Sequence, residues 1–209
     1  MSSPAKPRAA LDGAPATESV RDRILSTARE LFYKEGARAV GVDTVVAQSG
    51  VAKTSLYRWF PSKDALIVAV LEQEAKDRWS GWDRTAQHSD PEPRARLRAH
   101  FAGITRYVSS VHFRGCPFKN VTAEFADPQH PARLLAKEVM EQLRSRLRTL
   151  VDNIEGVRDP AQLTEQLLLL VDGALSTAQC LGKDGPQQFL VLAADALVDA
   201  QLNSRTGGP

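Results

Sequence analysis

The run Lys53-Thr54-Ser55-Leu56-Tyr57-Arg58-Trp59 sets five hydrogen-bonding tips, Lys53, Thr54, Ser55, Tyr57 and Arg58, around one leucine. Lysine and arginine only donate, whereas threonine, serine and tyrosine donate and accept. Chemistry of this kind is recognition, not bond-breaking. Small polar and cationic tips on a short helix suit base edges and phosphates of a duplex, provided a second helix holds the first at a fixed angle in the major groove. Residue patterns for catalysis are missing: there is no G-x-S-x-G, H-E-x-x-H, phosphate-binding glycine loop or clustered carboxylate pair. No enzyme activity and no cofactor are therefore expected. His112 and Cys116 have the separation of metal ligands on a helix, but Gly115 and Pro117 disrupt that geometry and no further ligand stands near in sequence. No metal site is expected there, and a lone cysteine is usually buried and inert.

The elements that must position the polar run are legible on either side of it. Val20, Ile24, Leu25, Ala28, Leu31 and Phe32 recur at helical spacing before a stop at Gly36. Val42, Val45 and Val46 lie in a short supporting helix that ends at Gly50, where a left-handed turn is easiest for glycine. Val51 and Leu56 then supply buried anchors for a recognition helix over Lys53–Trp59, and Pro61 prevents its continuation. Ser62 is an N-cap for a long connecting helix through Leu66 and Val70 toward Trp79, with Asp64 in its first turn.

Downstream, Asp90-Pro91-Glu92 opens a helix carrying Leu97, Phe101, Ile104 and Val108. Pro117 begins a short helix to about Phe125, and a longer one follows through Leu134, Leu143 and Leu150. Two more are predicted, from Asp159-Pro160 to about Leu181 and from about Gln187 to Asn203. Strand-like alternation is absent, so the expected fold is all-α with about nine helices.

Composition agrees with a packed protein. The chain has 209 residues, 43% hydrophobic and 25% charged, enough for a core and for two unequal domains. Net charge is only +2, but residues 1–66 carry ten Lys and Arg against seven Asp and Glu. That asymmetry permits nucleic-acid binding without requiring it. The two cysteines form no C-x-x-C pair, no apolar run approaches bilayer length, and no signal-peptide core is present, so a cytoplasmic location is expected. Residues 1–17, rich in Ala, Pro and Ser, are expected to form a disordered arm, either without a role or touching DNA through Lys6 and Arg8.

The stretch from Gly50 through Lys53-Thr54-Ser55-Leu56-Tyr57-Arg58-Trp59-Phe60-Pro61-Ser62-Lys63 to Leu66 resembles the helix-turn-helix signature of the TetR family of regulators. With Ala28-Arg29-Glu30-Leu31-Phe32 and Gly36 ahead of it, the resemblance covers about residues 19–75. Gly115-Cys116-Pro117-Phe118-x-Asn120 and Ala123-Glu124-Phe125 are similar to one branch of its regulatory domains. The resemblance implies that Lys53, Thr54 and Ser55 approach base edges while Tyr57, Trp59 and Lys63 grip phosphates. Lys63 would add its charge to the positive end of the connecting helix, and Thr44, near the start of the supporting helix, is a further phosphate donor. Tyr57 has an alternative role, packing its ring on the domain core. Ala52 stands where the family often has a capping Ser or Thr, Gly41 caps weakly, and Trp59 replaces a smaller aromatic.

A domain layout follows: the arm, a DNA-binding domain over 18–66, and a ligand-binding and dimerisation domain over 67–205. Phe101, Tyr107, Phe118 and Met140 are either ordinary core or the lining of a pocket for a small apolar molecule, with Asn120, Glu124 and His112 as polar anchors. Trp79 and Trp82 lie where a ligand signal would pass to the reader, or shield the junction. The last two long helices carry Leu163, Leu167, Leu170, Val171, Ala174 and Leu175, and Phe189, Leu192, Ala193, Ala196 and Leu197, stripes suited to a homodimeric four-helix bundle and in part to intramolecular core. The expected function is a repressor that releases a near-palindromic duplex operator when its effector binds. An activator of the same fold, or a helical enzyme or carrier with a vestigial helix-turn-helix, are the alternatives.

Overall fold

A computed structural model describes residues 19–203, and the expected arm and the tail after Asn203 lie outside them. Nine α-helices account for nearly all regular structure among the described residues, which contain no strand. Three helices form the N-terminal unit: α1 (Val20–Glu35), α2 (Val42–Ser49) and α3 (Lys53–Trp59). Then come α4 (Lys63–His88), α5 (Pro93–Val108), α6 (Pro117–Glu124), α7 (Pro131–Asp152), α8 (Pro160–Leu181) and α9 (Leu190–Asn203).

Local chemistry sets the boundaries. Proline occupies the first helical position of α5, α6, α7 and α8, where its missing N–H has no partner to lose. The Ser19 side chain caps α1 at the Asp22 N–H, and Ser62 caps α4 at Ala65. Two boundaries differ from expectation. Helix α5 starts at Pro93 because the Glu92 carboxylate accepts from the Arg94 and Ala95 N–H groups and acts as its cap. The predicted last helix begins as a 3₁₀ turn over Pro186–Phe189 and becomes α-helical only at Leu190.

Helices α1, α2 and α3 pack around Ile24, Leu25, Ala28, Leu31, Val45 and Leu56, all buried. Helix α4 completes this core with Leu66, Ile67, Val70 and Leu71, then runs on between α5 and α7. A domain border at residue 66 therefore falls inside a continuous helix whose two halves serve different cores.

Helix α8 is central, packing on α5, α7 and α9. That placement makes the α8 stripe intramolecular core and not a dimer face: Leu163, Leu167, Val171, Ala174 and Leu175 are buried within one chain, and Leu170 is half-buried. The outward line passes instead through Leu169, 72% exposed, and Gly173, a half-turn around the helix from the buried set. On the last segment Phe189 and Leu192 do face out, at 56% and 66% exposure.

Candidate nucleic-acid interface and internal cavity

Gly50 adopts φ 65° and ψ 24° at the end of α2, the left-handed turn that swings α3 across its predecessor, and its N–H donates to the Val46 carbonyl. Leu56, fully buried, and Val51 pin α3 from beneath. Anchored on that side, α3 presents Lys53, Thr54, Tyr57, Arg58 and Trp59 outward, with Ser55 half-buried. Tyr57 is 42% and Trp59 51% exposed, a large aromatic surface for a small domain to leave uncovered. Neither Gly41 nor Ala52 gives its helix a side-chain cap, so packing holds both.

The cations of this surface are not equally free. Lys53 Nζ lies 2.7 Å from an Asp43 oxygen, and that hydrogen bond and charge raise the lysine pKa. Lys63, expected to grip phosphate, is turned inward: its ammonium donates to the Arg38 carbonyl at 2.9 Å, and burial lowers its pKa. Thr44 is exposed one turn into α2.

Polar bonds tie the N-terminal unit to the helices behind it. The Arg38 N–H donates to Glu124 Oε2 at 2.7 Å, and the Arg38 guanidinium donates to the Glu124 carbonyl at 3.0 Å. The Tyr33 hydroxyl donates to the Gly115 carbonyl and accepts from the Arg114 N–H, at 3.2 and 2.8 Å. Arg29 of α1 pairs with Glu74 at 2.5 Å and Asp77 at 2.8 Å on α4.

Arg29, Glu74 and Asp77 also form one end of a cavity of about 430 Å³. Helix α4 contributes Arg78, Trp79, Gly81 and Trp82, helix α5 contributes His100, Ile104 and Tyr107, and Phe118, Leu143, Val171 and Leu175 close the rest. Trp82 stacks on His100 with ring centroids 3.9 Å apart, and the Arg146 guanidinium lies 4.6 Å over the Trp79 ring. Burial, helped by the charge of Arg146, lowers the His100 pKa to about 4, so its ring is neutral at physiological pH. The volume falls within the range of small-molecule sites, and the wall mixes aromatic and aliphatic surface with a set of charged side chains. Among the described residues, no group of three His, Cys, Asp or Glu side chains is placed to hold a metal ion.

Of the residues expected to line one pocket, the structure brings Tyr107 and Phe118 to this cavity. Phe101 is fully buried in the core, and Met140 is packed against the core away from the cavity. Asn120 and Glu124 border a separate space of about 30 Å³ against α1, room for about one water molecule, because α6 turns them toward Tyr33 and Ala37. His112 is exposed in the loop after α5. The wall residues of α4 precede the aromatic and apolar residues expected to line a pocket. Their signal was a different one, the helical row Glu74, Arg78, Gly81, Trp82 and Thr85, which combines charge and aromatics on one face.

Two family models match the chain: that described as bacterial regulatory proteins, tetR family, over residues 24–70, and that of a tetracyclin repressor-like C-terminal domain over residues 93–193. A TetR-family transcriptional regulator from Streptomyces coelicolor superposes with TM-score 0.83 at 27% identity, covering 88% of this chain and 96% of the other. A protein from Streptomyces avermitilis of the same described class gives TM-score 0.73 at 30% identity, covering 88% and 98%. The transcriptional regulator YjdC of Escherichia coli is 24% identical over 157 residues, 75% of this chain and 81% of the relative. The transcriptional activator FasR of Mycolicibacterium smegmatis is 38% identical over 79 residues, 38% of this chain and 36% of the relative.

Proposed function

The chain belongs to the TetR family of transcriptional regulators, and from that premise we propose that it is a homodimeric repressor that leaves its operator when a small, largely apolar molecule enters the internal cavity. The observation that carries the reading is the course of α4: one rigid helix packs on the reader at its N-terminal end and walls the cavity farther along. A molecule that favours one setting of this helix biases the placement of the reader by the same free energy.

On DNA, Lys53, Thr54 and Ser55 would meet base edges, with Tyr57, Trp59 and Thr44 on the backbone. The exposure of all but the half-buried Ser55 supports this. Lys63 would join them only by exchanging the Arg38 carbonyl for a phosphate. Dimerisation is assigned to the outward faces of α8, α9 and the 3₁₀ turn before α9, where Leu169, Leu192 and Phe189 leave apolar surface uncovered. A twofold dimer then sets two readers about 34–36 Å apart, which calls for a near-palindromic site. A coupling of about 1–3 kcal/mol between cavity and reader changes occupancy about 5–150-fold. The activator name of the M. smegmatis relative favours a second outcome of the same coupling, in which the bound dimer recruits transcription.

The test selects binding sites from random duplex DNA with purified protein and then measures occupancy of the recovered site. Recovery of a near-palindrome bound by a dimer is expected. A site without twofold symmetry, or binding by a monomer, overturns the reading.

A further inference from the structure

We propose that the cavity takes an amphipathic anion, a carboxylate on an aromatic or branched apolar body, with Arg78 as the anchor of its charge. This deepens the preceding reading and rests on the cavity being the effector site.

The wall carries five charged side chains, Arg29, Glu74, Asp77, Arg78 and Arg106. Arg29 is committed to both carboxylates, at 2.5 and 2.8 Å. The acidic groups that would attract a cation are thus already engaged, and a cationic ligand has to compete with a guanidinium held in place by the fold. Arg78 and Arg106, by contrast, have no carboxylate within ion-pair distance among the described residues. Arg106 is exposed at the rim, but Arg78 is half-buried.

Arg78 is also fixed in position. Its Nη2 lies 3.3 Å from the Cys116 sulfur, and its guanidinium sits 5.0 Å over the Phe118 ring. Neither partner matches the donors of an arginine: a thiol is a weak acceptor, and a ring face satisfies charge without taking a directed hydrogen bond. A carboxylate fits this vacancy in chemistry, accepting two parallel bonds from a guanidinium already oriented. Tyr107, 45% exposed overall, lies near Arg78, and partial burial, with Tyr33 and Cys116 close by, raises its pKa, so it stays a donor.

The remaining wall describes the rest of the ligand. Trp79, Trp82 and His100 give aromatic faces, and Ile104, Leu143, Val171 and Leu175 close the far side.

The test compares three probes with one shared body, phenylhexanoate, phenylhexanol and phenylhexylammonium, binding to the full chain at neutral pH by calorimetry. Phenylhexanoate is expected to bind about tenfold or more tighter than the alcohol, the scale of a charge-assisted bidentate contact. Arg78→Gln should bring that ratio to about one, and Arg78→Lys should restore part of it. Equal binding of acid and alcohol to the unaltered protein, or tightest binding of the ammonium, overturns the anion anchor while leaving the cavity as the effector site. Loss of alcohol binding in Gly81→Leu, which fills the cavity, identifies that case. Failure of all three probes to bind at millimolar concentration overturns both the anchor and the cavity reading.

Discussion

Lys53 and Asp43 show how a single pair can tune the reader. Their 2.7 Å contact is solvent-exposed, so it adds little to stability, but it occupies the ammonium expected to meet a base. Asp43→Asn removes both the competitor and a negative charge facing DNA, and should tighten operator binding by about threefold to tenfold at low salt, measured by fluorescence anisotropy. Lys53→Ala should change which base is preferred, whereas Tyr57→Phe should weaken binding evenly across sequences. His100 makes a separate, pH-dependent prediction. Its ring takes a proton near pH 6.5 when the chain is unfolded but only near 4 when folded. Between those values the unfolded state binds more protons, so stability declines as pH is lowered through the window and levels off below it. A loss of about 1–2 kcal/mol is expected in denaturant melts, a conservative fraction of the full linkage, and His100→Phe should remove that component of the slope.

At the scale of elements, α4 carries the argument because two cores share it. Gly81 lies on its cavity face with no atom within 4 Å of where a Cβ would stand. A glycine inside a helix costs about 0.5–1 kcal/mol relative to alanine. Gly81→Ala should therefore raise the unfolding free energy by about that amount in urea melts. Helix α6 is the other link, since the Glu124 carboxylate accepts from the Arg38 N–H while Lys63 holds the same residue by its carbonyl. Glu124→Gln should leave operator affinity within a few-fold but reduce effector-driven release by about 0.5–2 kcal/mol of coupling, measured by anisotropy with and without ligand. If release is unchanged, α6 does not transmit the signal through this bond.

For the whole molecule, the proposed dimer rests on the uncovered surface of α8, α9 and the turn before α9. Leu169 at 72%, Leu192 at 66% and Phe189 at 56% exposure are poor residues to leave in water, while neighbouring Gly173 leaves room for close helix approach. Leu169→Glu combined with Leu192→Glu should convert a dimer to a monomer by light scattering, with helix content retained, and lower operator affinity at least about a hundredfold because each half-site is then bound alone. A double variant that remains dimeric would place the interface elsewhere.

The amino-acid sequence by itself determined the helices and the reader. Caps, prolines at first helical positions, and a glycine at the α2–α3 turn are short-range devices, so Ser19, Ser62, Pro160 and Gly50 announce their roles within a few residues. The pattern around Leu56 likewise shows which face of α3 is buried, because one turn of helix fixes it. Only the tertiary structure decided which side of α8 is interior, where Asn120 and Glu124 go, and that Arg29 and Arg78 belong to the same cavity wall. Periodicity gives a helix an apolar face but not the neighbour that covers it. A cavity is made by the gap between helices distant in sequence, and a charge is engaged or available according to what those helices bring beside it.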